Sequence, residues 1–212
     1  TLGGNRMIQP FLIKKDLIFK DVLDFSFLLD APAGKHGFVT IQDGHFYIGG
    51  ERTRFYGFNI PFASLFLPKE DSELIADRLA KAGVNFVRIH AEDSRPWKED
   101  EGPWLIDYSK GNSRNFDPSN RDKLDYLFYC LKQKGIYMQL DLFCYRGFFP
   151  DDGIDYPDDM MKYFKQVNIF NRRLIELQQE FAKEYLGHVN PYTGMSYLDD
   201  PAVIVVQVMN ED

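Results

Sequence analysis

From residue 57 onward the chain repeats one rhythm: a short apolar strand, an amphipathic helix, a glycine, and then the next strand. Phe58-Asn59-Ile60 is the first such run, Asn85 to His90 the second, Ile136 to Leu142 the third and Val203 to Met209 the fourth. The fourth is apolar almost without a break, so both of its faces need cover from other parts of the chain. Between the strands the spacing turns helical, with Ile75, Leu79 and Ala82, then Leu124, Leu127, Phe128 and Leu131, then Phe170, Leu174, Leu177 and Phe181. Pro68 and the acids Glu70, Asp71 and Glu73 mark the start of the first helix, and Asp117-Pro118 opens the second. Gly83, Gly135 and Gly187 stand where these helices should stop. Strands joined through helices pair in parallel by right-handed crossovers. With no glycine-rich phosphate loop among them, the units point to a TIM (β/α)8 barrel and away from a nucleotide-binding sheet. A whole barrel takes about 250 residues. Residues 57–212 therefore read as its first four strand–helix units, with the rest of the barrel expected beyond Asp212.

The segment 1–56 has a different texture. Asp24 to Asp30 is apolar and aromatic, Phe38 to Ile41 leads into Asp43-Gly44, His45 to Ile48 into Gly49-Gly50, and Thr53 to Tyr56 follows. Asp-Gly and Gly-Gly between short runs are hairpin turns. The segment is expected to be a small antiparallel β unit that caps the barrel.

Composition removes several classes of function. The 25 Lys and Arg are dispersed and outnumbered by 32 Asp and Glu, for a net charge of −7, so no basic patch offers itself to nucleic acid. No apolar run reaches the roughly 20 residues that span a bilayer. The two cysteines, Cys130 and Cys144, have no metal-type spacing, and the residues themselves fix no compartment. The excess is aromatic, 19 Phe, 12 Tyr and 2 Trp, which suits a deep core or a cleft that stacks on flat ligands.

In (β/α)8 barrels the chemistry sits at the C-terminal ends of the strands. Those ends carry Asn59, then Arg88 and His90 on one face of the second strand, then Asp141, then Asn210-Glu211. Arg88 either neutralises a buried acid or belongs to a site, His90 is a core histidine or a substrate contact, and Asp141 serves a neighbouring loop, Arg88 or the site. Trp97, Trp104, Tyr108 and Phe116 lie in the long loop from Ala91 to Asp117 and either stack on a ligand or pack the loop. Glu211 at the end of a buried strand has the type and place of a general acid: cleaving a glycosidic bond needs one carboxylic acid to protonate the leaving oxygen and one carboxylate on the opposite face.

Several stretches, in order, resemble clan A glycoside hydrolases, the group that includes the family 5 cellulases and mannanases. Asp43-Gly44-His45-Phe46 through Arg54-Phe55-Tyr56-Gly57-Phe58-Asn59 resembles the approach to their first strand. Ala82-Gly83-Val84-Asn85-Phe86-Val87-Arg88-Ile89 resembles their second strand, Gly135 to Leu142 their third, and Asn210-Glu211 the end of their fourth. The resemblance implies a glycosidase cleaving β-glycosidic bonds with retention, using no cofactor or metal. Glu211 would be its acid/base, Asn210 would bind the sugar 2-hydroxyl and Arg88 would support a nucleophile Glu on a later strand. It also implies a carbohydrate substrate and a secreted or periplasmic location. Phe143 departs from the pattern, standing where many family 5 members carry His. Two other classes compete. One is a metal-dependent sugar isomerase or epimerase with His90, Asp141 and Glu211 as ligands. The other is a glycan-binding barrel that has lost its second acid.

Overall fold

A computed structural model describes residues 24–95, 102–155 and 165–211. Three short strands, β1 (Thr40–Gln42), β2 (His45–Ile48) and β3 (Glu51–Thr53), form an antiparallel sheet in that order. Both turns are two-residue loops with positive φ throughout, 50° and 74° at Asp43-Gly44 and 57° and 87° at Gly49-Gly50. Such loops pair the residues that flank them, so Gln42 faces His45 and Ile48 faces Glu51. The third strand therefore begins at Glu51, earlier than the expected Thr53 to Tyr56. Asp24 to Asp30 is not a strand. Asp24 Oδ1 accepts the Ser26 N–H at 2.9 Å, and the backbone tightens into a 3-10 turn over Ser26–Leu28.

The second sheet is parallel, with β4 (Gly57–Pro61), β5 (Phe86–His90), β6 (Tyr137–Asp141) and β7 (Val203–Gln207) side by side in sequence order. The helices between them are α1 (Lys69–Lys81), α2 (Pro118–Gln133) and α3 (Arg172–Gly187). α2 and α3 each start at a capping side chain. Asp117 accepts the Asn120 N–H at 2.8 Å ahead of Pro118, and Asn171 accepts the Leu174 N–H at 3.1 Å. Because Asn171 caps α3, Phe170 falls outside the helix and is 82% exposed, contrary to its expected place on the apolar face.

Alternation along the strands sorts the two faces of the parallel sheet. Val87, Ile89, Met138 and Leu140 point to the helices and join Ala76, Ala80, Leu127, Leu131 and Phe181 in one core. The opposite face carries Asn59, Arg88, His90, Gln139, Asp141 and Gln207, the polar members of the same strands. At the N-terminal end of this face Phe55 packs against Phe86, Tyr137 and Phe46 with ring centroids 5.5–5.8 Å apart. These contacts seat the antiparallel sheet under the parallel one. Asn85 fastens the junction, accepting from Tyr56 N at 2.7 Å and donating to Arg54 O at 2.9 Å.

Candidate active site

The polar face of the parallel sheet closes into one hydrogen-bonded group at its C-terminal end. Asn59 and Arg88 are register partners across β4 and β5, and Asp141 and Gln207 are partners across β6 and β7. Arg88 donates from Nε and Nη2 to Asp141 Oδ2 at 2.9 and 2.7 Å, and from Nη2 to Gln207 Oε1 and Asn210 Oδ1, both at 2.8 Å. His90 Nδ1 donates to the same Asp141 oxygen at 2.6 Å, which directs the other ring nitrogen away from the pair. Gln139 Nε2 donates to Asp141 Oδ1 at 2.8 Å and to Gln207 Oε1 at 2.9 Å, so both Asp141 oxygens are occupied. Asp141 is fully buried, whereas Arg88 keeps about a quarter of its side chain exposed on the open face. The guanidinium fork thus orders Asp141, Gln207 and Asn210 and still presents a surface to solvent.

A second layer fixes the loops behind this group. Asp93 accepts the backbone N–H groups of Cys144 at 3.0 Å and Tyr145 at 3.1 Å, joining the loop after β5 to the loop after β6. Arg146, wholly buried, lies 3.7 Å from Asp93, donates to Leu142 O at 2.7 Å and stacks 3.8 Å from the Phe181 ring centre. Glu92 is completely buried, and burial, with Asp93 adding to it, pushes its carboxyl well above the usual range. Burial also raises the Cys144 thiol, whose Sγ lies 3.4 Å from His90 Nδ1 and 3.6 Å from Asp141 Oδ2. Non-glycine residues with positive φ follow three of the four parallel strands: Phe62 (55°), Ala91 (61°) and Glu211 (55°). Such strain is held only where surrounding contacts enforce it, and it gathers at functional ends of folds.

The backbone N–H of Asn210 donates to Phe143 O at 2.9 Å, and its side chain joins the Arg88 group. Glu211 turns the other way, with Oε2 2.7 Å from Lys165 Nζ and more than two thirds of its side chain exposed. The Lys165 hydrogen bond, followed by its charge and weaker pulls from His90 and Arg88, holds the Glu211 carboxyl below the usual glutamate range. Lys165 itself lies over the Tyr145 ring, 4.9 Å from its centre.

Of the residues singled out in the sequence, Arg88, His90, Asp141 and Asn210 are in one network. Asn59 is exposed beside Arg88 and makes no side-chain hydrogen bond among the described residues. Trp104 is half-buried at the start of α2, its carbonyl accepting from Asn120 Nδ2 at 2.8 Å. Trp97 lies outside the described residues. Sequence reasoning missed Gln139, Gln207, Asp93, Arg146 and Lys165. Gln139 carried a usable signal, since it shares a strand face with Asp141 two residues on. The isomerase ligand set is not assembled among the described residues: Glu211 does not join His90 and Asp141, and it is held by Lys165.

No protein-family model matches the sequence, and no curated protein matches it. Solved structures do. An endo-1,4-β-mannanase from Rhizomucor miehei superposes with a TM-score of 0.65 at 20% identity, covering 83% of this chain and 49% of the mannanase. A glycoside hydrolase family 5 mannosidase from the same organism gives 0.62 at 17% identity, with the same two coverages. A family 5 glycoside hydrolase from Bacteroides vulgatus gives 0.51 at 15% identity, over 84% of this chain and 34% of its own. The chain spans half or less of the length of these structures. Its parallel sheet, helices and antiparallel prelude have the fold of the first half of the (β/α)8 barrel found in glycoside hydrolase family 5.

Proposed function

We propose that this chain supplies the first half of the active site of a retaining glycoside hydrolase, with Glu211 as general acid/base and the nucleophile on a strand beyond residue 212. One observation carries the reading: Arg88, Asp141, Gln207 and Asn210 converge by hydrogen bonds at the C-terminal end of a parallel sheet, with Glu211 next in the chain. Asn210, fixed by Arg88 and Phe143, is preorganised to bind a sugar hydroxyl, and His90 offers its outer nitrogen to the same space.

The state of Glu211 fits one step as it stands and the other after a change. Paired with Lys165 it is a carboxylate, the form that activates water in the second displacement. The first displacement needs its proton. A nucleophile carboxylate about 5–5.5 Å away would raise the Glu211 pKa by like-charge repulsion and compete for Lys165. Mannanase and mannosidase are named among the structural neighbours, so β-1,4-mannan is the first polymer to assay.

The test is Glu211→Ala in the full-length protein. Natural glycans, whose leaving groups need the proton, should lose most of their turnover, by about 10²–10⁴-fold for a general acid–base residue. Aryl glycosides with good leaving groups should still form the glycosyl-enzyme, and azide should restore turnover with a glycosyl azide of retained configuration. Unchanged activity on natural glycans would reject Glu211 as the acid/base. A parent protein that binds glycans without cleaving any would favour the glycan-binding barrel.

A further inference from the structure

We propose that His90 Nδ1, Asp141 Oδ2 and Cys144 Sγ form an inhibitory binding site for a borderline-soft dication of the zinc and cadmium class. The three atoms lie within 4.8 Å of one another on buried side chains. Sγ is 3.4 Å from Nδ1 and 3.6 Å from Oδ2. A tetrahedral zinc ion holds its ligand atoms about 3.3–3.6 Å apart, from bond lengths of roughly 2.0–2.3 Å. Both sulfur separations already match this. Among the three ligand atoms only the Nδ1–Oδ2 contact, now a 2.6 Å hydrogen bond, must open, by about 0.8 Å, as the ion takes the place of the proton. The Arg88 guanidinium, which donates to the same Oδ2, must also give way.

The scaffold is stiff where it needs to be. His90 and Asp141 end adjacent strands paired through Ile89 and Leu140, and Asp93 clamps the Cys144 backbone. Three protein ligands leave a fourth position for water. The thiolate selects against magnesium and calcium, which take oxygen ligands. Binding balances simply. Cys144 releases its thiol proton to solvent, His90 moves its proton from Nδ1 to Nε2, and sulfur, nitrogen and carboxylate oxygen each donate an electron pair to the ion.

Occupancy has a consequence for the neighbouring guanidinium. Arg88 now shares Asp141 Oδ2 with His90, and a dication on that oxygen repels it. Arg88 would leave Asp141 and loosen its hold on Asn210, which is why the site inhibits. That consequence rests on the glycosidase reading; the metal site does not.

Full-length protein, stripped with a chelator, is titrated with Cd2+ while the ultraviolet thiolate-to-cadmium absorption and glycosidase activity are followed together. The expected result is one ion per chain, an absorption band that saturates with the loss of activity, and reversal by chelator. Magnesium and calcium should do neither. Cys144→Ser and Cys144→Ala should lose the band and, each measured against its own metal-free activity, require about tenfold or more cadmium for the same fractional inhibition. Cys130→Ser should behave as the parent. A band that survives in both Cys144 variants, or equal inhibition of them and the parent, would overturn the proposal. If the protein cleaves no glycan, the glycosidase reading fails while the absorption titration still decides the metal site.

Discussion

Replacing Arg88 by Ala removes the guanidinium that, alone among the described residues, bonds Asp141, Gln207 and Asn210 together. Asp141 would be left as a fully buried carboxylate with hydrogen bonds from Gln139, His90 and the Cys144 thiol and, among the described residues, no permanent positive partner. Breaking a buried ion pair from one side costs about 3–5 kcal/mol. Arg88 is 27% exposed and Gln139, His90 and the weaker Cys144 thiol still donate to Asp141, so about 2–3 kcal/mol is expected here. At roughly 2 °C per kcal/mol for a large domain, Tm of the full-length protein should fall by about 4–6 °C. The cause is checked by a double-mutant cycle with Asp141→Asn, which removes the stranded charge. The double variant should be more stable than the sum of the single losses predicts, by about 1–2 kcal/mol. Arg88→Lys keeps a charge without the fork, so it should recover much of the stability while turnover stays low, because Asn210 is no longer held. Additivity within about 0.5 kcal/mol, or a Tm change under about 1 °C for Arg88→Ala, would refute this account of the network.

Three further outcomes test other parts of the structure. Lys165→Met removes the main cause of the low Glu211 pKa, so the basic limb of the kcat/KM profile, where the general acid loses its proton, should move to higher pH; an unmoved limb means Lys165 does not govern the acid. Burial raises the Glu92 pKa in the fold, so the folded chain binds its proton more tightly and stability falls as pH rises from the ordinary glutamate range toward the folded value. Glu92→Gln should flatten that slope and leave stability at low pH nearly unchanged, as followed by denaturant unfolding across pH. Gly135 has φ of +81°, and a Cβ there would sit 3.1 Å from the Ala31 nitrogen, so Gly135→Ala should destabilise by about 1–2 kcal/mol or more in the same assay.

The alternation of strands and helices was legible because each parallel strand had to be apolar toward its helices. Val87, Ile89, Met138 and Leu140 announce themselves by type. Arg88, His90, Asp141 and Asn210 were legible for the complementary reason, as polar residues at the ends of such strands. Gln139 and Gln207 were not picked out, because a single amide inside an apolar run gives no charge signal. Only the register that sets Asp141 opposite Gln207 reveals what they contact. Asp93, Arg146 and Lys165 lie on loops or beside them, where no period relates sequence to direction. Phe170 fitted the helical spacing of α3 and was still misplaced, because a capping side chain at Asn171 outweighs one apolar match.

The two ends of the parallel sheet divide the work differently. At the N-terminal end the contacts are aromatic, Phe55 against Phe46, Phe86 and Tyr137, and the adjoining turns use glycine or an Asp-Gly pair where φ is positive. At the C-terminal end the chain instead places Phe62, Ala91 and Glu211 in the left-handed region, where a side chain costs about 1–2 kcal/mol per residue. Glycine would relieve that cost, but glycine at 211 would have no carboxylate. β7 ends at Gln207, and the turn that follows brings Asn210 back to Arg88, while Glu211, with φ of 55°, sends the next side chain to Lys165. A regular strand puts neighbouring side chains on opposite faces. Strain at this position is thus the means by which consecutive residues can serve one open rim, and it persists because Phe143 and Arg88 hold Asn210 on one side and Lys165 holds Glu211 on the other.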